Sequence, residues 1–230
     1  MKVQRYARVA GLLFLVSLVA GGFGEAYAPA KLMVSADPAA TVANLKNSDF
    51  LYRLGFAAFM IESLCDATLA LLMYALLKPV NRELSLLAAF FGLLATSLFA
   101  VAELFYIAPT IILKASYLNA FSAQQLNSIV LLSLKLYSYG GMIFTAHYGM
   151  GWIVRGYLMF RSGYLPKFLG VLMTIGGGGF VVRNFLLILA PAYASDLFLM
   201  LMVPGGLILT VWLMIKGVDQ SKWNARVAAL

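Results

Sequence analysis

The sequence predicts an all-α integral membrane bundle of six transmembrane helices, with the N- and C-termini both cytoplasmic. Three observations carry that expectation. The 230 residues are 63% hydrophobic and only 11% charged, whereas a soluble domain carries roughly a quarter charged residues. Six apolar runs each reach the roughly 20 residues needed to cross about 30 Å of hydrocarbon. Basic residues, finally, are dense in every second connection and sparse in the others, the pattern that orients helices in membranes.

The six runs cover about 7–27, 50–77, 84–112, 128–160, 166–190 and 195–216. They leave no length for a second domain, so residues 1–230 form one transmembrane unit. All six are expected to be helices, because an open strand or loop leaves backbone groups unsatisfied in lipid. The first run resembles a signal peptide in its basic start and its Ala26-Tyr27-Ala28. Pro29, directly after that cut, and polar Glu25 before it, argue for a retained helix. Asp37 followed by Pro38 is an N-cap with proline at the first helical position, which predicts a short helix over 38–46. The second run ends at a basic turn, Lys78 to Arg82, from which the third begins. Ser122 with Gln125 forms a capping box, which starts the fourth helix near Ala123, beyond the bilayer. Gly140-Gly141 is a site where that long helix can kink. Gly176 to Gly179, in the fifth run, suit close helix packing, and Pro204-Gly205-Gly206 is expected to interrupt the sixth.

Lys2, Arg5 and Arg8 precede the first run, Lys78 and Arg82 follow the second, Arg161 and Lys167 follow the fourth, and Lys216, Lys222 and Arg226 follow the last. The opposite connections hold Lys31, Lys46 and Lys114. That asymmetry places both termini inside. It also accounts for the net charge of +8 without any nucleic acid as partner; the bilayer is the partner the sequence specifies. A single cysteine, Cys65, excludes an internal disulfide and reads as a core hydrophobe. One histidine excludes multi-histidine zinc and bis-histidine haem sites. The sequence holds no nucleotide-binding loop, nucleophile elbow or HExxH, and it identifies no cofactor and no oligomeric state.

Four carboxylates, Glu25, Glu62, Asp66 and Glu103, fall inside these runs, as do Arg53, Lys135 and Arg183. A mid-bilayer charge costs about 2.5 to 3.5 kcal/mol on the gentlest scales, so these groups are expected to turn toward one another. With the termini inside, all of them sit in the outer half of their helices, which predicts a polar cavity facing the periplasm. Glu62 and Asp66 are one turn apart on one face; either one holds a proton or a cation neutralises them. Lys135 and Arg183, with Asn184 beside it, are the expected partners. His147 lies deeper and is a candidate proton relay or, with the carboxylates, a metal ligand, although no spacing is diagnostic of a metal. Glu25 and Arg53 divide between snorkelling and lining the cavity, Tyr106, Tyr137 and Tyr139 are near enough to supply hydroxyls, and Arg155 is expected to snorkel to the cytoplasmic side.

The stretch Gly156-Tyr-Leu-Met-Phe-Arg-Ser-Gly-Tyr-Leu-Pro-Lys-Phe-Leu-Gly170 resembles a bacterial membrane-protein family catalogued as domain of unknown function 4386. Arg8-Val-Ala-Gly-Leu-Leu through Glu25, Phe50-Leu-Tyr-Arg-Leu-Gly55, and Asp66 with the run to Leu77-Lys-Pro-Val-Asn-Arg82 are similar to it as well. The resemblance implies a six-span protein of the bacterial inner membrane whose recurrent polar residues are Glu25, Arg53, Asp66 and His147. It carries no activity. Glu62, Glu103, Lys135 and Arg183 do not match its pattern. The leading expectation is a protein that binds or transports a small molecule or ion through the charged cavity. The alternatives are a membrane enzyme acting on a lipid or other lipophilic substrate and a non-catalytic sensor or partner subunit.

Overall fold

The structure, a computed structural model, describes residues 2–34 and 36–229. Six helices are long and apolar enough to cross a membrane, and the chain is a multi-pass membrane protein. We number the spans with the two shorter helices in chain order: α1 (Val3–Leu32), α2 (Pro38–Asn47), α3 (Asp49–Leu77), α4 (Arg82–Ile112), α5 (Ala123–Ser162), α6 (Lys167–Leu189), α7 (Leu197–Ile215) and α8 (Gln220–Ala228). Every span packs against the next in the chain, and α7 returns to α1, so the six close into a ring in chain order.

Local sequence explains where the helices start and deform. Asp37 accepts from the Ala40 N–H at 2.9 Å and caps α2 with Pro38 at its first position, as expected. The Ser122–Gln125 capping box forms and begins the 40-residue α5. Pro29 cannot donate to the carbonyl four residues back and its ring crowds it. The turn before it is widened to a π-helical one, Gly22–Tyr27, in which Glu25 lies. Pro109 likewise leaves the Phe105 carbonyl of α4 without its helical donor, and the Ser133 hydroxyl of α5 supplies one at 2.7 Å.

The glycines pack rather than break helices. α5 runs through Gly140-Gly141 unbroken. Gly177 lies against the Gly149 carbonyl, and Gly176 against the Met202 backbone. The sixth span is not interrupted at Pro204-Gly205-Gly206: Pro204 occupies the first turn of Met202–Ile215, where a missing N–H costs nothing, and the irregularity precedes it at Leu201.

Both termini lie at one end of the ring. Gln4 at the start of α1 donates to the Lys216 carbonyl at 2.7 Å and accepts from the Val218 N–H, beyond the end of α7. Gly163, with φ +76°, ends α5 in the left-handed conformation that suits glycine. The following Tyr164 donates its hydroxyl to the Leu76 carbonyl at 2.7 Å. Trp223 of α8 reaches the same carbonyl at 3.2 Å, one of the acceptors that the end of α3 leaves without a helical donor. The Arg161-Ser-Gly-Tyr-Leu-Pro166 signature is therefore a locked turn.

The interior is in two parts. Phe14, Leu69, Met73, Leu76, Trp152, Leu158, Leu169 and Leu213 fill the end that holds the termini. Leu32, Tyr52, Phe59, Phe99, Tyr106, Tyr137 and Phe144 fill the other. Tyr148 touches both clusters.

A buried file of carboxyl groups

The close crossing of α1 and α3 sets up the site. Gly24 lies against the Gly55 carbonyl, and this contact of backbones brings Glu25 of α1 toward Glu62 of α3. Their carboxyl groups face each other across the α1–α3 crossing. Glu103 of α4 lies within electrostatic reach of Glu25, and the Tyr137 hydroxyl of α5 approaches it. On the other side of Glu62 stands Asp66, which accepts from the Ser17 hydroxyl at 2.7 Å and is also faced by the Tyr148 hydroxyl. Three helices, α4, α1 and α3, thus bring together Glu103, Glu25, Glu62 and Asp66.

Among the described residues one cation attends this file, and it is Arg155. Its side chain does not snorkel: the residue is 3% exposed, and the guanidinium lies within electrostatic reach of Asp66 and Tyr148. The turn of α4 opposite is Gly92, where a Cβ would come within 2.5 Å of an Arg155 terminal nitrogen. Small residues make the other places too. A Cβ on Gly21 would fall 2.6 Å from a Glu62 carboxyl oxygen, and one on Gly55 would fall 2.6 Å from the Tyr106 hydroxyl oxygen. Buried oxygens of Glu25, Glu62 and Glu103, the Tyr52 hydroxyl and the Arg155 Nε have no hydrogen-bond partner among the described residues.

The remaining sequence candidates stand elsewhere. Arg53 is exposed and pairs with Asp49 at 2.9 Å. Lys135 and Tyr139 are exposed on α5. Arg183 pairs at 2.6 Å with Asp196 in the α6–α7 connection, and Asn184 donates to Thr145 at 2.7 Å and to the Phe180 carbonyl at 2.8 Å. The His147 Nδ1 meets the Ile143 carbonyl at 2.8 Å. Its ring borders an apolar trough of about 380 Å³ between α5 and α6, together with Tyr139, Ile143, Asn184, Phe185 and Ile188. Of the named candidates, then, Glu62, Asp66 and Glu103 assemble with Glu25 and Tyr106. Tyr137 joins them too, as does Arg155, which had been expected to snorkel; Ser17, Tyr52 and Tyr148 join without having been singled out. The small residues flanking Arg155 on its own helix, Gly149, Gly151 and Gly156, were a legible signal that this stretch turns inward.

The arrangement favours groups met in succession over a central ion. Among the described residues no three His, Cys, Asp or Glu side chains converge closely enough to hold a metal. Above the file, at the end where α3 begins, a vestibule of about 270 Å³ opens between Leu45, Lys46, Asp49, Tyr52, Leu113 and Lys114. Below it the interior is apolar, from Leu69 to Leu213.

Fold and site together define a six-span membrane protein with a file of acids buried in one half of its bundle. Residues 9–217 match the family model of the domain of unknown function DUF4386, and the chain belongs to that family. An uncharacterized protein of the archaeon Archaeoglobus fulgidus is 29% identical over 152 residues, which cover 66% of this chain and 76% of the relative. No solved structure matches.

Proposed function

We propose that this protein binds and transports a small cation or protons through the carboxyl file, from the outer face of a bacterial inner membrane. The observation that carries the reading is an imbalance: among the described residues four carboxyl groups gather, Asp66 and Glu103 buried and Glu25 and Glu62 half-buried, and the one guanidinium beside them, that of Arg155, lies within electrostatic reach of Asp66 alone. An apolar interior does not tolerate unpaired charge, so the remaining carboxyl groups need protons or an exchangeable cation to be stable there. The basic turns and both termini share the end away from the vestibule, which supports a cytoplasmic assignment for that end and an outer one for the vestibule.

The enzyme reading needs His147 beside the carboxyl groups as an acid–base partner. The imidazole bonds instead within its own helix and faces the α5–α6 trough, which leaves binding and transport as the better-supported activity. Asp66 is the group on which the reading depends, since it joins the acids to Arg155. In sealed proteoliposomes containing a pH-sensitive dye, an imposed cation or proton gradient should drive a dye response in the wild type. Asp66→Asn should abolish that response. An unchanged response in the variant would remove Asp66, and this version of transport, from consideration.

A further inference from the structure

The α5–α6 seam carries an imidazole that the carboxyl file does not use. The His147 Nδ1 lies 2.8 Å from the Ile143 carbonyl, and a carbonyl only accepts, so the ring proton is on Nδ1. The Nε2 of the neutral ring is then an acceptor, and among the described residues nothing donates to it. The side chains around it have no donor free. The Asn184 amide nitrogen is occupied by Thr145 and the Phe180 carbonyl, and the Thr145 hydroxyl turns to the Gly141 carbonyl of its own helix. Tyr139 stands two turns further along α5. Met142, Ile143, Phe185 and Ile188 give the trough only apolar surface.

The trough continues along the seam. A second one, of about 520 Å³, lies between Ile153, Tyr157 and Phe160 of α5 and Val171, Thr174 and Ile175 of α6. Three- and four-residue steps connect these positions to His147 and Phe185, so both troughs share one side of the helix pair. Gly178 sits on α6 between them, and a Cβ there would meet only open space. Val171, Ile175, Phe185 and Ile188 are exposed, which within a span means that this side faces lipid. From Arg161, at the basic turn, α5 rises about 20 Å to reach His147. The imidazole is therefore well inside the roughly 30 Å of hydrocarbon.

Depth and hydrogen bonding together define what fits. A phosphate or ammonium head does not follow its chain to that depth, where an unpaired charge costs too much. The occupant is uncharged, donates a hydrogen bond and trails a long apolar tail. We propose that the α5–α6 seam binds a lipid-soluble hydroquinone, its hydroxyl donating to the His147 Nε2 and its tail lying along the seam past Gly178. Phe91 of α4 flanks the imidazole, with ring centroids 6.4 Å apart, and Phe185 lines the trough, so an aromatic head joins rings already in place. The corresponding quinone has carbonyls only and offers no donor. The site therefore tells the reduced form from the oxidised one by a hydrogen bond, with no electron exchanged, and the carboxyl file takes no part.

The test titrates the full chain in detergent, without oxygen, with a decyl-tailed hydroquinone and separately with its quinone. The unfolding temperature is followed, because a ligand that binds only the folded protein raises it with concentration. The hydroquinone should bind about three- to tenfold more tightly than the quinone, the worth of one hydrogen bond between groups in a membrane. His147→Phe keeps a flat ring and removes the acceptor. It should lower the hydroquinone to the affinity of the quinone and leave the quinone unchanged. Gly178→Leu grows into open space, so the fold is kept, and it should weaken both forms alike by obstructing the tail. Equal affinities in the wild type, no saturable binding, or a preference that survives His147→Phe would overturn the proposal. Unchanged binding in Gly178→Leu would overturn the seam as the place of the tail.

Discussion

Gly21 and Gly22 are neighbours in α1, yet a methyl group would meet a different fate at each. On Gly22 it would find open space, whereas on Gly21 it would fall on the Glu62 carboxyl. Replacing a helical glycine by alanine stabilises a helix by roughly 0.5 to 1 kcal/mol, so Gly22→Ala should raise thermal stability without touching the site. Gly21→Ala meets only the far end of a flexible side chain. We expect it to fold with similar stability but to part Glu62 from Glu25. The infrared band of the protonated carboxyl groups should therefore change shape in Gly21→Ala and stay constant in Gly22→Ala; identical bands would show that the Gly21 contact does not position Glu62. Neither effect is visible in the sequence, where the two glycines differ only by one place, Gly21 ending the regular α-helix and Gly22 opening the π-helical stretch.

At the scale of elements, capping chemistry was legible and rotation was not. Asp37, Ser122 and Gln125 act through neighbours three residues away, so their roles follow from local spacing and hold in the structure. Helix rotation depends on which face meets protein and which meets lipid, and both surroundings are apolar. Lys135 shares the depth of the acids and His147 lies deeper, but both project from faces of α5 other than the one carrying Tyr137, Phe144, Tyr148 and Trp152 into the core. Arg155, by contrast, lies on the inward side. Local capping also sets a prediction at α8. The Ser221 hydroxyl and the Lys222 backbone N–H bond the Asp219 carboxyl, and they hold it below its ordinary range, at about 2. A carboxyl depressed on folding stabilises the folded state above its ordinary range, and that contribution is lost as pH falls through the depressed value. The docking of α8, reported by Trp223 fluorescence, should hold from neutral pH to about 4 and loosen toward about 2. Asp219→Asn keeps a capping oxygen and should remove the pH dependence in that window; a variant that loosens over the same range would assign the transition to another group.

For the whole molecule the ring of six spans was half legible. Hydropathy gave the number and order of the helices, and charge asymmetry gave a common end for the basic turns. The closure of α7 onto α1 and the meeting of α1, α3, α4 and α5 around the acids required packing contacts that pair residues far apart in the chain. Those contacts leave Arg155 as the only cation beside the file among the described residues, and the argument about charge can be tested through it. Removing one of two opposite charges that sense each other in the interior destabilises, because the other is left uncompensated. Arg155→Leu should therefore destabilise the bundle strongly in a denaturation titration in detergent. Asp66→Asn in that background removes the charge that was left alone, so the double variant should be more stable than Arg155→Leu by itself. The expected interaction energy, about 0.5 to 3 kcal/mol, is the range for residues within one network. Simple additivity would mean that Asp66 and Arg155 do not sense each other across the bundle.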